Sequence, residues 1–589
     1  YMSLVAQLKE VTAQSIEALY KVPVFADDIL VNATKPEFEG EYTVVLFSFV
    51  KSLRKAPEAL GNEIGQHLQQ AHPQLVTGYN VIKGFLNISI ADAYFTQYLV
   101  ETGEVGQFAP TGKKVMVEYS SPNTNKPLHL GHLRNNFLGW SVAQILKATG
   151  NEVMKTSIVN DRGVHICKSM IAWQLFANGA TPESTGIKGD HFVGDYYVRF
   201  SNEHKKEMAE LIATGMSPEL AEKEAPIMKA AQQMLVDWEA GKPEVLELWK
   251  KMNAWVYAGF DETYKRIGSD FEKTYYESQT YLLGKRFVEE GLEKGVLYRK
   301  DDGSVWIDLT DEGLDEKLVL RRDGTSVYIT QDIGLAQQKY DLFPYDQSIY
   351  VIADEQNYHM QVLKAILKKL DKPYADGIYH LSYGMVELPT GRMKSREGTV
   401  VDADDIVQEM VTEAGKKTAE HSRIEDFTDA ELTALYEIIG LGALKFFLLR
   451  VDPKKRMVFN PEESIEFHGF TGPFIQYTHA RIKSILRKEV ADESIPFTAP
   501  LLPLEKSLLL LLEQYKTIVQ TAAQEHDPSQ IANYIFNVAQ TYNTFYTQHS
   551  VLRAESEEKK ALRLRICALT AKVIAHGMSL LGIQVPERM

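Results

Sequence analysis

One short turn, Lys126-Pro127-Leu128-His129-Leu130-Gly131-His132, brings together an ammonium, two imidazoles and a glycine. Its neighbours say where it sits. Val115 to Tyr119 is a short apolar run that reads as a strand, Ser120 to Pro127 is turn-rich, and helical character starts at Gly131 and stops near Gly150. A helix N-terminus offers unpaired N–H groups and a partial positive charge. Glycine lets a ring or a phosphate come close to the backbone. Imidazoles and an ammonium can donate hydrogen bonds to oxygens whose charge grows in a transition state. The chemistry expected is that of phosphate groups, with Lys126, His129 and His132 as hydrogen-bond donors. His-x-Gly-His is short enough to arise by chance. What raises it is its place at the strand-to-helix turn of a βαβ unit, where parallel sheets bind their ligands.

A second basic stretch is Gly391-Arg392-Met393-Lys394-Ser395-Arg396-Glu397-Gly398. Cations in a glycine-bounded loop suit a triphosphate, although alone this stretch would read as a solvated turn. The histidine turn resembles the HIGH signature of class I aminoacyl-tRNA synthetases. The longer string from Val117 to Arg134 is similar to the arginyl branch of that family. The second stretch then corresponds to the family's KMSKS loop, with departures: Arg392 stands for the first lysine, Lys394 for the serine and Ser395 for the second lysine. That branch often lacks the second lysine, and Lys126 is held to substitute. The resemblance implies catalytic roles for Lys126, His129, His132 and Lys394. It implies an ATP site built from His129, Gly131, His132, Arg392, Met393, Lys394, Ser395 and Arg396, with Met385 and Val386 meeting the adenine.

A guanidinium is planar, permanently charged and carries five donors, so its pocket should hold carboxylates and a hydroxyl-bearing ring. The resemblance supplies a set of five: Glu118 and Asp332 for the guanidinium, Tyr328 to position it, and Asn123 and Gln356 for the α-amino group. It also implies arginyl transfer to the terminal 2′-hydroxyl of tRNA(Arg) by way of an arginyl-adenylate. ATP, arginine and tRNA are the expected partners, magnesium accompanies the ATP, and neither zinc nor any other bound metal is expected. Lys445, Arg450, Lys454, Lys455 and Arg456 form a basic run, of which the last three are candidates to face tRNA. The string Phe470 to Arg481 is similar to the entry into the family's anticodon-binding domain. Tyr477, Arg481, Tyr546 and Met589 are candidate RNA contacts there, while Phe545 reads as packing.

The elements that must position these groups follow from periodicity. Residues 1–110 read as a small α+β unit, implied by the resemblance to meet the tRNA elbow, and 102–114 as a linker rich in Gly and Pro. Residues 111–400 read as an α/β Rossmann-type parallel-sheet catalytic domain. Its strands are expected at 115–119, 153–159, 326–330, 349–353 and 378–383, with a helical insertion near 186–260. Residues 401–470 form a connecting helical region and 471–589 a helical bundle.

Bulk composition constrains less. At 589 residues the chain exceeds one core. A net charge of −15 disfavours a non-specific nucleic-acid binder but allows a local basic face. Two distant cysteines, Cys167 and Cys567, argue for a reducing compartment and against a Cys-rich zinc site. With no uninterrupted apolar run of membrane length and no secretory pattern, the expectation is a cytoplasmic monomer without a membrane anchor. Three competing readings stay open. Another class I synthetase would need cations for glutamate or a zinc site for cysteine. A non-catalytic relative should have lost Lys126, His129 or His132. An unrelated nucleotidyltransferase should lack an RNA-reading C-terminal domain.

Overall fold

The computed structural model describes residues 2–389 and 401–589. At its centre is a five-stranded sheet, all parallel, built from β1 (Lys114–Glu118), β2 (Glu152–Val159), β3 (Lys273–Tyr276), β4 (Gln347–Ala353) and β5 (Ile378–Tyr383). The spatial order is β5-β4-β1-β2-β3. The chain leaves β1 toward β2 on one side and returns to place β4 on the other. The crevice beyond the carboxyl ends of β1 and β4 is therefore the switch point where such sheets bind ligands.

Four of the five expected strands are present. The one expected at 326–330 is the start of a helix, Tyr328–Leu342. Val327, Ile329 and Thr330 favour strands locally, yet burial along the segment falls on Ile329, Thr330, Ile333 and Ala336, which is helical spacing. The sheet takes its remaining strand from β3, a four-residue edge too short to stand out in the sequence. A three-stranded antiparallel sheet over 297–320 was not anticipated either.

Helix α1 (Leu130–Ala148) follows β1 and is the hub of the molecule. Thirteen of its nineteen residues are buried, so it lacks a solvent stripe: it lies between the sheet and the C-terminal helices. The closeness of that packing shows at Gly139, where a Cβ would stand 2.3 Å from the Cβ of Tyr119. Ser141 Oγ donates to the carbonyl of Leu580 at 2.7 Å and ties α1 to the last helix.

After β2 come α2 (Val164–Phe176) and then a helical insertion over 189–267, ending in α3 (Pro243–Ile267). Helices α4 (Tyr328–Leu342) and α5 (Asn357–Lys369) flank β4. The N-terminal unit is a four-stranded antiparallel sheet backed by Leu4–Tyr20 and Pro57–Ala71. Residues 102–113 carry no regular element. From Ala403 onward the chain is almost wholly helical. Helix Asp429–Leu449 is long and apolar enough to cross a membrane by composition, but 61% of that window is buried inside the protein, as in a core helix.

Candidate active site

His129 is the N-cap of α1, and the two histidines cap that helix for each other. The N–H of Gly131 donates to Nδ1 of His129 at 3.0 Å, and the N–H of His129 donates to Nδ1 of His132 at 3.0 Å. Both Nδ1 atoms accept, so both rings carry their proton on Nε2. Burial, with Lys126 nearby, pushes His129 down to about 4. Burial, with His129 and Lys126, pushes His132 well below the imidazole range. The pair therefore presents two neutral Nε2–H donors at neutral pH. Gly131 is required by this geometry: a Cβ there would lie 2.8 Å from the His129 ring.

Lys126, His129, Gly131 and His132 line a cavity of ≈ 460 Å³ together with Ser121, Asn135, Glu355, Tyr383, Met385 and Val386. The two residues expected at the adenine are thus on its wall. Burial lowers the Lys126 ammonium. Across the turn, the N–H of Leu130 donates to Val401 O at 3.3 Å and the N–H of Ala403 to Leu128 O at 3.0 Å. The far end of the second loop is thereby paired to the histidine turn. Arg392, Met393, Lys394, Ser395 and Arg396 lie outside the described residues.

Arg134, buried, donates to the carbonyls of Gly384 and Lys455 (the latter at 2.8 Å). The N–H of Gly384 donates to Pro453 O at 2.8 Å, and that of Met457 to Met385 O at 3.0 Å. The loop carrying Lys454, Lys455 and Arg456 is therefore stitched to the adenine wall while those three side chains stay exposed. The rest of the basic run faces inward. Lys445 is buried against Gly582 O at 2.8 Å, which pushes it down to about 8, and Arg450 binds Phe470 O at 2.6 Å.

A second cavity, ≈ 130 Å³, adjoins the first at Ser121 and Ile352. It is lined by Glu118, Asn160, Glu277, Tyr328, Gln331, Asp332, Tyr350 and His359. A third, ≈ 470 Å³, continues outward past Asn123, Arg162, His165, Glu277, Arg321 and Tyr328. The five residues expected to hold arginine part company here. Glu118 is buried and already matched: its Oε1 is 2.7 Å from the Nζ of Lys339, which is fully buried. Asp332 Oδ2 lies 2.6 Å from His359 Nε2 and keeps open access, its side chain 36% exposed. Tyr328 stands exposed at the start of α4, and Asn123 is on the wall of the outer cavity. Gln356 is exposed in the turn after β4 and lines none of these three cavities.

Glu277, which the sequence reading missed, borders both the second and third cavities. Burial, with Asp161 and Asp332 adding to it, pushes its carboxyl up to about 7 against the pull of Arg162. Its one sequence signal is its place directly after Tyr275-Tyr276, at the carboxyl end of the strand that was not anticipated.

Another acidic group, Asp190 and Asp404 with His191, has its ligand atoms within 4.8 Å of one another. Lys188 (3.1 Å from Asp190, 2.9 Å from Asp404) and His191 (2.6 Å from Asp402) already balance these charges.

In the C-terminal helices, the Arg481 guanidinium lies over the rings of Tyr477 at 5.2 Å and Tyr546 at 4.9 Å, and donates to Asn543 Oδ1 at 2.7 Å. Phe545 is fully buried, and Met589 packs part-buried against the core.

Comparison with known proteins agrees along the whole chain. Residues 94–460 match the model for the catalytic domain of class I (R) tRNA synthetases, 475–589 the DALR anticodon binding domain and 6–90 the arginyl tRNA synthetase N-terminal domain. The arginine–tRNA ligase of Bacteroides thetaiotaomicron is 52% identical over 584 residues, covering 98% of each chain. That of Flavobacterium psychrophilum is 51% identical over 605 residues, covering 100% of each. Among solved structures, the Thermus thermophilus arginyl-tRNA synthetase superposes with a TM-score of 0.80 at 26% identity, over 99% of each chain.

Proposed function

This chain belongs to the class I arginyl-tRNA synthetases, and we propose that its two joined cavities divide the family's reaction between ATP and arginine. The enzyme attaches arginine to tRNA(Arg), with ATP driving the activation. In the larger cavity, Met385 and Val386 flank the adenine, and the Nε2–H groups of His129 and His132 donate to the phosphate oxygens. Lys126 supplies the one ammonium on that wall among the described residues. The arginine carboxylate attacks the α-phosphate, the bond to the β-phosphate oxygen breaks, and pyrophosphate leaves. Donors fixed before the reaction stabilise the charge that builds on the phosphorus oxygens. Transfer to the 2′-hydroxyl of the terminal ribose then releases AMP. Magnesium enters as part of the MgATP substrate. Glu355 is the one carboxylate bordering this cavity among the described residues, so the triphosphate itself is the ion's main ligand.

The smaller cavity selects arginine. Asp332 and Glu277 meet the guanidinium, while Glu118, neutralised by Lys339, forms the back wall. Tyr328 covers the entrance, and Asn123 serves the α-amino group. Gln356 reaches that group only if the turn after β4 moves inward. The observation that carries this reading is that a pocket of carboxylates and a pocket of phosphate donors share a wall at Ser121 and Ile352. The exposed Lys454, Lys455 and Arg456 and the Tyr477–Arg481–Tyr546 group are the proposed tRNA contacts, and the N-terminal unit is assigned to the tRNA elbow. Two buried, unpaired cysteines suit the cytoplasm.

The direct test is pyrophosphate exchange with arginine, ATP and purified tRNA, each omitted in turn. Arginine-dependent exchange in the presence of tRNA is expected. Its absence with all three present would sink the assignment.

A further inference from the structure

Helix α3, the last of the insertion, reaches the turns after both β1 and β2. At four-residue spacing, Trp249, Asn253 and Tyr257 converge on Asp161: the first two donate to its carbonyl at 2.6 and 3.4 Å, and the third to its carboxylate at 3.3 Å. The same carboxylate accepts from the N–H of Ser278 at 2.8 Å and its Oγ at 2.6 Å, and Ser278 adjoins Glu277. Farther along α3, the hydroxyl of Tyr264 pairs with Ser120 Oγ at 2.6 Å.

Ser120 has φ of 61°, a left-handed conformation that a residue with a Cβ adopts only when its surroundings impose it. Every polar group it owns is held. Its N–H donates to Asn135 Oδ1 at 2.6 Å, its carbonyl accepts from Ser157 Oγ at 2.6 Å, and its hydroxyl meets Tyr264. The next residue, Ser121, borders both the phosphate and the carboxylate cavities, as Ile352 does from β4.

We propose that Tyr264 is a positioning residue for adenylate formation: through Ser120 it locks the left-handed turn that sets Ser121 where the arginine carboxylate meets the α-phosphate. The insertion thereby serves the chemistry without touching a substrate. This rests on the assignment of the two cavities to ATP and arginine. Losing the Tyr264 hydroxyl leaves Ser120 Oγ buried without its partner and frees the turn to relax. The reacting groups then drift apart while the rest of the ATP wall, carried by α1, β4 and the segment that follows β5, stays in place.

The test is Tyr264→Phe in the full-length enzyme with tRNA(Arg) present. The ring is kept, so its packing on Phe260 and Phe271 survives. Arginine-dependent pyrophosphate exchange should lose roughly tenfold in kcat, the size expected when reacting groups are slightly misplaced. The KM for ATP and the melting temperature should hardly move. Ser120→Ala should match it, and the double variant should lose no more than either single one. An unchanged kcat, a fall in melting temperature with both KM values shifted in parallel, or fully additive losses would overturn the proposal. A wild-type enzyme without arginine-dependent exchange would overturn the cavity assignment too. Normal wild-type exchange with a wild-type-like Tyr264→Phe overturns only the role of Tyr264.

Discussion

Arginine binding should depend on pH through Glu277. Burial holds this carboxyl at about 7, well above its ordinary 4.5. A guanidinium beside it favours the ionised form and draws it back toward the ordinary value. Proton and arginine therefore compete. If the bound value falls to the ordinary one, the apparent KM for arginine follows the protonated fraction of the free enzyme, and linkage predicts a rise of about tenfold between pH 8 and pH 6, or roughly 1.4 kcal/mol. The KM for ATP should stay flat over that range, because burial pushes His129 down to about 4 and holds His132 well below the imidazole range. Glu277→Gln, which mimics the protonated form, should remove the slope: its arginine KM should sit roughly 300-fold above wild type at pH 8 and roughly 30-fold above it at pH 6. Steady-state exchange at several pH values, with arginine and ATP varied separately, measures all of this. A flat wild-type arginine KM between pH 6 and 8, or a slope that persists in Glu277→Gln, would refute the reasoning.

Asp332→Asn removes a half-exposed charge, so the loss should be at the low end for a charged pair, about 2 kcal/mol, raising the arginine KM roughly 30-fold with little change for ATP. Because Asp332 helps hold Glu277 up, the midpoint of the arginine pH profile should also move to lower pH in that variant; equal effects on both substrates would count against the assignment. Gly131→Ala should push the His129 ring off its N–H partner and cut exchange kcat by about 10²-fold, as losing one preorganised donor does; a wild-type kcat would mean the ring is not where the phosphate needs it. The ion pairs of His191 with Asp402 and Asp404 raise its pKa to about 10. Since a raised pKa stabilises the fold below the ordinary value and loses that effect as pH climbs through the raised one, the melting-temperature gap between wild type and His191→Gln should be full near pH 6 and close by about pH 10. A gap that does not narrow would remove the charge from the account.

What was legible in the sequence was local. The histidine turn could be read because its donors, its glycine and its helix start lie within seven residues, and a helix N-terminus needs no distant partner to bind an anion. β1 and β4 could be read because buried parallel strands are near-continuous apolar runs, and β2 and β5 from their β-branched and aromatic residues. The strand at 326–330 was misread for the complementary reason: its β-branched residues carry a local preference that burial along a helix face overrides.

Partnership across the chain was decided only by the tertiary structure. Nothing near Glu118 in sequence announces that Lys339, from α4, will neutralise it. In the proposed assignment, that one pairing leaves Asp332 and Glu277, in place of Glu118, to meet the guanidinium. Glu277 owes its raised pKa to burial and to Asp161 and Asp332, which adjoin it only after the sheet is assembled. Arg134, legible as part of the signature string, becomes a clasp between the adenine wall and the basic loop only once Gly384 and Lys455 are brought to it. The kind of chemistry is set by residue types at short spacing, whereas the charge each residue carries depends on its neighbours in space and on how much water the fold leaves around it.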